Sequence, residues 1–188
     1  MIRCRKSVRR GSFLRDTRGN AAAEFALWVS IMLVPVLSAT DLSFYAFQRM
    51  MLESAAEAAV QTAWHTCNQS AYLPLKNCSG VLAAMRTAAQ NTSLNTSVTL
   101  ADASVVDRYY CASTSGVLQT PTGATSGNTT TLPTGPATCS SVTTGSTTAP
   151  GEYVEATVTY TYTPLFSGLS IGSLLPTTVT KTASMRLS

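Results

Sequence analysis

The chain has 188 residues, of which 45% are hydrophobic and only 12% are charged, about half the usual charged share. This length suits one folded domain with an anchor or tail and excludes two full hydrophobic cores. The low charge excludes an acidic disordered tail and a coiled-coil rod. A net charge of +4, placed at one end, also predicts no nucleic-acid partner.

Positive charge is concentrated in residues 1–19, a basic leader with a charge of +6, whereas residues 20–188 carry −2. Residues 20–40 follow, and Glu24 is their only ionisable side chain. A helix of about 20 apolar residues crosses a bilayer of ~30 Å. Because Lys and Arg accumulate on the cytoplasmic flank, we predict a single-pass protein whose leader is cytoplasmic and whose residues 41–188 lie outside.

Residues 41–66 contain no Gly or Pro and are rich in strong helix formers. The sequence predicts one continuous helix of about 45 residues through both segments, ~68 Å at 1.5 Å per residue, with Pro35 as the only break signal. Arg49 interrupts its predicted apolar face, and Glu53 and Glu57 lie on the other side. That apolar face comprises Leu42, Tyr45, Leu52, Ala56, Ala59 and Ala63.

Residues 67–188 are typical of a sheet domain. Ser79 is a predicted cap for a helix over 81–90. Apolar and polar residues alternate at 94–100, 153–163 and 177–187, which predicts antiparallel strands with one wet face. The long helix is the expected cover for the apolar face, so the predicted fold is α+β. Between two of these strands, the polar tract 113–150 is predicted to be a mobile loop without packed elements.

Five cysteines are present, and Cys4 lies in the leader, where we expect a reduced cytoplasmic thiol. The other four, in the Thr/Ser-rich body, suit an oxidising compartment and allow three pairings. Local bridges between Cys67 and Cys78 and between Cys111 and Cys139 are the favoured prediction.

Glu24 needs a physical reason, because a charge at mid-bilayer costs roughly 2.5–3.5 kcal/mol on insertion scales. Cleavage after Gly19 would supply one by giving Asn20 a free α-amine, which is largely cationic at neutral pH. Glu24 would then lie in the first helical turn, near the positive helix end. The carboxylate and the amine, in one chain or in neighbouring subunits, can neutralise each other.

The order Gly19, four residues, Glu24 and Phe25 resembles the class III signal of type IV pilins. More closely, RGNAAAEFAL with the Ala-rich helix, and VTYTYTPL near the end, resemble the TadE/TadG-like minor pilin (pseudopilin) family of Tad (Flp) pilus systems. The resemblance implies that an inner-membrane prepilin peptidase, an aspartic enzyme, cuts after Gly19, and that Glu24 serves processing or assembly register. It also implies other Tad pilins and the inner-membrane assembly platform as partners, and an adhesive fibre as the product.

The family implies an inner-membrane subunit with a periplasmic domain, or one incorporated into the extracellular pilus. Two departures are visible: the chain is much longer than major Flp pilins, and it lacks the length for the extra domain of TadG-type members. The alternatives are a membrane-anchored periplasmic binding module whose loop 113–150 contacts a ligand, and a secreted protein cut by signal peptidase.

No catalytic or cofactor role is predicted. The run 168–172 matches G-x-S-x-G, but no Asp or His follows it as a hydrolase requires. His65 and Cys67 lack further ligands for a metal. The spacing of Ala22, Ala26 and Ser30 permits close helix packing, and chance in an Ala-rich segment explains it equally well.

Overall fold

A computed structural model describes residues 17–188, which divide into two compact units. The first unit contains residues 17–43 and 164–174, and the second contains residues 44–163 and 175–188. Cys4 and the leader bases that precede Thr17 lie outside the described residues, so the expectations for them stay predictions.

The long helix, α1, spans Thr17–Cys67 and includes Pro35. This confirms the predicted continuous helix, which good helix formers and the absence of glycine between residues 20 and 67 favour. In the second unit, small side chains allow the helix to lie close to its neighbours in the core. The fully buried residues there are Leu52, Ala55, Ala56, Ala59, Ala63 and Cys67.

The predicted apolar face of α1 is wrong at Leu42, whose side chain is exposed. The buried face instead passes through Asp41 in the first unit and Gln48 in the second. Hydrophobicity misled the prediction because both polar side chains find partners. Gln48 Nε2 donates to the Tyr160 hydroxyl at 2.9 Å, and the partners of Asp41 are described below.

The second unit contains a four-stranded antiparallel sheet in the order β2-β1-β3-β4. Its strands are β1 (Val98–Ala112), β2 (Leu118–Gln119), β3 (Gly151–Thr161) and β4 (Thr178–Arg186). A shorter helix, α2, spans Val81–Gln90 and packs on β1. The α+β class is therefore confirmed, with the second half of α1 packed on an antiparallel sheet.

The inward face of β3 agrees with the predicted alternation. Val154, Ala156 and Val158 are fully buried, and they share one core with the α1 residues. Just beyond the strand, the ring of Tyr162 packs edge to face on Tyr45 with centroids 5.0 Å apart. Pairs of this geometry stabilise a core beyond simple area burial.

Two local predictions are wrong. The strand predicted at 94–100 begins only at Val98, because Asn95 adopts a positive φ of 50° and the 95–97 segment forms a 3-10 turn. Asparagine tolerates this left-handed conformation better than most residues. Ser79 does not cap α2: the N-cap is Gly80, with φ of 78°, and it makes no side-chain cap hydrogen bond. Glycine adopts that backbone conformation without steric strain.

The polar tract 113–150 contains more structure than predicted. It contributes β2 to the sheet edge, and Gly127 exchanges two backbone hydrogen bonds of 2.9 Å with Asp107 of β1. Pro121 and Cys139 are buried. The prediction that no element of this tract packs is therefore wrong, because distant β1 supplies partners that the local sequence does not reveal. Its mobility stays a prediction.

The two disulfides are Cys67–Cys78, with Cα atoms 5.9 Å apart, and Cys111–Cys139, with Cα atoms 5.6 Å apart. These are the pairs that their positions in the sequence favour. The second bridge holds the tract against the end of β1.

Replacing Cys111 and Cys139 together by Ser is expected to lower the free energy of unfolding by about 3 kcal/mol, because the unfolded chain loses a constraint on its entropy. Denaturant unfolding of the purified full chain in detergent measures this change. Cys4→Ser is the matched control and is expected to leave stability unchanged. Equal stability of the double variant and the parent would contradict the prediction.

Candidate membrane and assembly site

The first half of α1 exposes a continuous apolar surface. An 18-residue window of the helix has a mean hydropathy of 1.8, and none of it is buried within the described part of the chain. Soluble monomers rarely expose apolar patches of this extent, and the helix is long and apolar enough to cross a membrane. Its large exposed side chains are Phe25, Leu27, Trp28, Val29, Ile31, Met32, Leu33, Val34 and Val36.

The predicted processing residues lie at the start of this surface. Gly19 and Asn20 are in helical conformation, and Glu24 and Phe25 follow one turn later. Residues four apart share a helix face, so Asn20 and Glu24 are neighbours on α1. Asn20 and Glu24 are exposed, as is Phe25, and no element of the sheet domain is required to form this group. The processing role of these residues stays a prediction.

A second feature lies on α1 just beyond the apolar surface. It is the side chain of Asp41, which is fully buried. Its Oδ1 accepts the Leu165 N–H at 2.9 Å, and its Oδ2 accepts the Phe166 N–H at 3.4 Å and the Ser170 hydroxyl. One turn earlier, Ser38 Oγ accepts the Ile171 N–H at 3.3 Å. Donors from residues 164–174, here named the Asp41 loop, thus surround one carboxyl group on α1.

Close packing at the Asp41 loop explains why residue 172 is a glycine. A Cβ at Gly172 would lie 2.6 Å from Asp41 Oδ2, too close for any other residue without displacement. The run 168–172, which matches G-x-S-x-G in the sequence, forms turns followed by a 3-10 segment, Ile171–Leu174. Sequence reasoning did not single out Asp41 as a buried residue and missed its partners. The available signal was a charged residue in phase with the buried face of α1.

Two further acids are buried in the second unit, on the inward face of neighbouring strands. Asp107 Oδ2 accepts the Leu75 N–H at 2.7 Å, while Asp107 Oδ1 and Glu152 Oε1 have no hydrogen-bond partner in the described chain. Burial, reinforced by Glu152 and opposed by the Leu75 N–H, raises the pKa of the Asp107 carboxyl to about 7. Burial also raises the pKa of Glu152.

The buried acids do not form a metal centre. Within residues 17–188, no group of three or more His, Cys, Asp or Glu side chains is placed to hold a metal ion. Cys67, considered with His65 in the sequence, is occupied by its disulfide to Cys78. Asp107 and Glu152 therefore affect the pH dependence of stability, which is treated in the Discussion.

The described residues define a class: an α+β protein with one helix long and apolar enough to anchor it in a membrane. Within that class, the TadE-like protein family model matches residues 19–61. The match confirms the resemblance predicted from RGNAAAEFAL over these residues. It begins at Gly19 and ends inside α1, so it includes Glu24 and no part of the sheet. No curated protein and no solved structure matches the chain.

Proposed function

We propose that the chain is a minor pilin or pseudopilin of a Tad (Flp) pilus, with a structural and not a catalytic role. A prepilin peptidase removes residues 1–19, and the mature subunit then enters or supports an adhesive fibre. Its leader faces the cytoplasm, its apolar segment crosses the inner membrane and its sheet domain is periplasmic until assembly. The partners are the peptidase, other Tad pilins and the inner-membrane assembly platform.

One observation carries the proposal: a family match that starts at Gly19 coincides with the exposed apolar segment of α1, in which residues 20–40 contain Glu24 as their only acid. An exposed surface of this kind can be covered by lipid before assembly and by neighbouring helices afterwards. Glu24 is costly in lipid unless it meets a cation. The α-amine created at Asn20 is such a cation, and it lies on the same helix face as Glu24.

Processing tests the proposal. Mass analysis of the protein from cells with and without the peptidase is expected to show loss of residues 1–19 only when the enzyme is present. Gly19→Val should block the cut, because a bulky side chain replaces the small residue at the scissile bond. Gly11→Val, in the same leader, is the matched control and should be processed normally. An intact N-terminus with the enzyme present would refute the pilin assignment.

A second candidate is a membrane-anchored periplasmic binding module. A cleft of about 280 Å³ between the tract 113–150 and the end of β1 favours it; Tyr110, Tyr153, Thr143 and Arg186 are among its lining residues. An unprocessed N-terminus together with ligand-dependent protection of this cleft would support the module in place of the pilin.

A further inference from the structure

The Asp41 loop joins β3 to β4, and its composition is unusual for an exposed connection. Residues 164–174 contain no charged side chain. Leu165, Leu169, Ile171 and Leu174 are 54%, 60%, 47% and 83% exposed. Four large aliphatic side chains on one short loop form a patch that water disfavours.

The Asp41 loop lies next to the end of the apolar surface of α1, within the first unit. The loop contacts α1 at Ser38 and Asp41, directly after the run of exposed apolar residues that ends at Val36. Asp41 is also the first charged residue along the chain after Glu24. The patch therefore lies where the apolar segment of the helix gives way to polar sequence.

The hydrogen-bond donors of the loop that contact α1 point inwards, towards that helix. Its backbone N–H groups at Leu165, Phe166 and Ile171 and the Ser170 hydroxyl donate to Asp41 and Ser38. Backbone donors and a carboxyl group are costly in an apolar medium unless they are paired. Here they satisfy one another, and the aliphatic side chains are left on the outside. This is the arrangement that a polypeptide needs at a lipid boundary.

We propose that the Asp41 loop is a second membrane contact, which inserts its aliphatic side chains into the boundary of the leaflet nearest the sheet domain, beside α1. The proposal rests on α1 crossing the bilayer, as in the proposed function. Lipid is favoured over a protein partner because the patch is continuous with the exposed apolar surface of α1 and carries no charge that would select a partner.

Depth-dependent quenching of tryptophan fluorescence tests the contact in the full chain, reconstituted in phosphatidylcholine/phosphatidylglycerol vesicles with brominated acyl chains. Trp28 and Trp64 are replaced by Phe, and Leu169→Trp supplies the probe. Val117→Trp is the matched control, because Val117 is an exposed apolar residue in the tract 113–150. Leu174→Trp is a second probe if Leu169→Trp disturbs folding. A chain that retains only Trp28 reports on α1 itself.

We expect bromines near the headgroup to quench the probe at 169 or 174 strongly and to leave the probe at 117 unquenched. Adding Asp41→Ala should release the loop and reduce quenching at 169, with Trp28 unaffected. An unquenched loop probe beside a quenched Trp28 would overturn the loop contact while preserving the anchor. If Trp28 were also unquenched, the proposed anchoring would fail as well. If the loop probe became less accessible to water as the protein concentration rose, and brominated lipids did not quench it, the loop would contact a second copy of the chain. That result would overturn the proposal.

Discussion

Replacing Glu24 by Ala is expected to leave membrane insertion intact and to abolish incorporation into fibres. Insertion should become more favourable, because an acid in the apolar segment costs up to roughly 3 kcal/mol. Assembly should fail because the α-amine at Asn20 of the processed chain loses its partner. Leaving one charge of a buried pair alone costs about 3–5 kcal/mol, which corresponds to a loss of about a hundredfold or more.

The measurement is the amount of subunit in sheared fibres compared with the amount in the membrane fraction. Glu24→Gln separates charge from shape, and it should fail as Glu24→Ala does. Glu57→Ala is the matched control, because Glu57 is an exposed acid in the other half of the same helix. Normal fibres from both Glu24 variants would exclude the charge pairing, while cleavage after Gly19 would remain an independent question.

Asp107→Asn is expected to stabilise the protein at pH 8 and to leave its stability at pH 4 almost unchanged. The pKa of Asp107 is about 7 in the folded protein and 3.8 ordinarily, so folding favours the protonated carboxyl. Its contribution is most favourable below pH 3.8, declines as the pH rises to about 7 and is constant above that. The difference of about three pH units corresponds to at most about 4 kcal/mol. The amide keeps an acceptor for the Leu75 N–H.

Denaturant unfolding of the full chain in detergent, from pH 4 to pH 8, measures this effect as the difference between variant and parent at each pH. Glu53→Gln is a control whose effect on stability should depend on pH in the opposite direction. The Lys181 ammonium, 2.7 Å from Glu53, lowers the pKa of that carboxyl, so its stabilisation is present above pH 4.5 and is lost as the pH falls. Parallel stability curves for Asp107→Asn and the parent would show that Asp107 does not titrate in this range.

The two fully buried aspartates show how a periodicity argument can misplace a residue. Asp41 and Asp107 interrupt apolar patterns, and both are fully buried. A periodicity argument assigns such residues to the surface, because an unpaired carboxyl is costly in a core. Their partners are backbone N–H groups of residues that are distant in the chain, at Leu165 for Asp41 and Leu75 for Asp107. Nothing in the local sequence marks a backbone N–H as available.

The β1 strand illustrates the same limit. Its register with β3 shifts between Leu100 and Val105, so alternation is lost in its middle, and the pattern there does not indicate a strand. By contrast, β3 and β4 keep an unbroken register from 153 to 161 and from 178 to 186, and both strands were predicted within two residues of their observed limits.

Local features of the sequence by themselves determined the long helix, the exposed apolar segment with its single acid, the two regular strands and the family motif at Gly19 and Glu24. Each depends on neighbours a few residues apart, where helix and strand periods act directly. Only the tertiary structure decided that a distant loop surrounds Asp41, that β1 carries a buried acid and that the tract 113–150 pairs with the sheet edge. These features arise when segments far apart in the chain satisfy one another's hydrogen bonds, and that pairing has no periodic signature in the sequence.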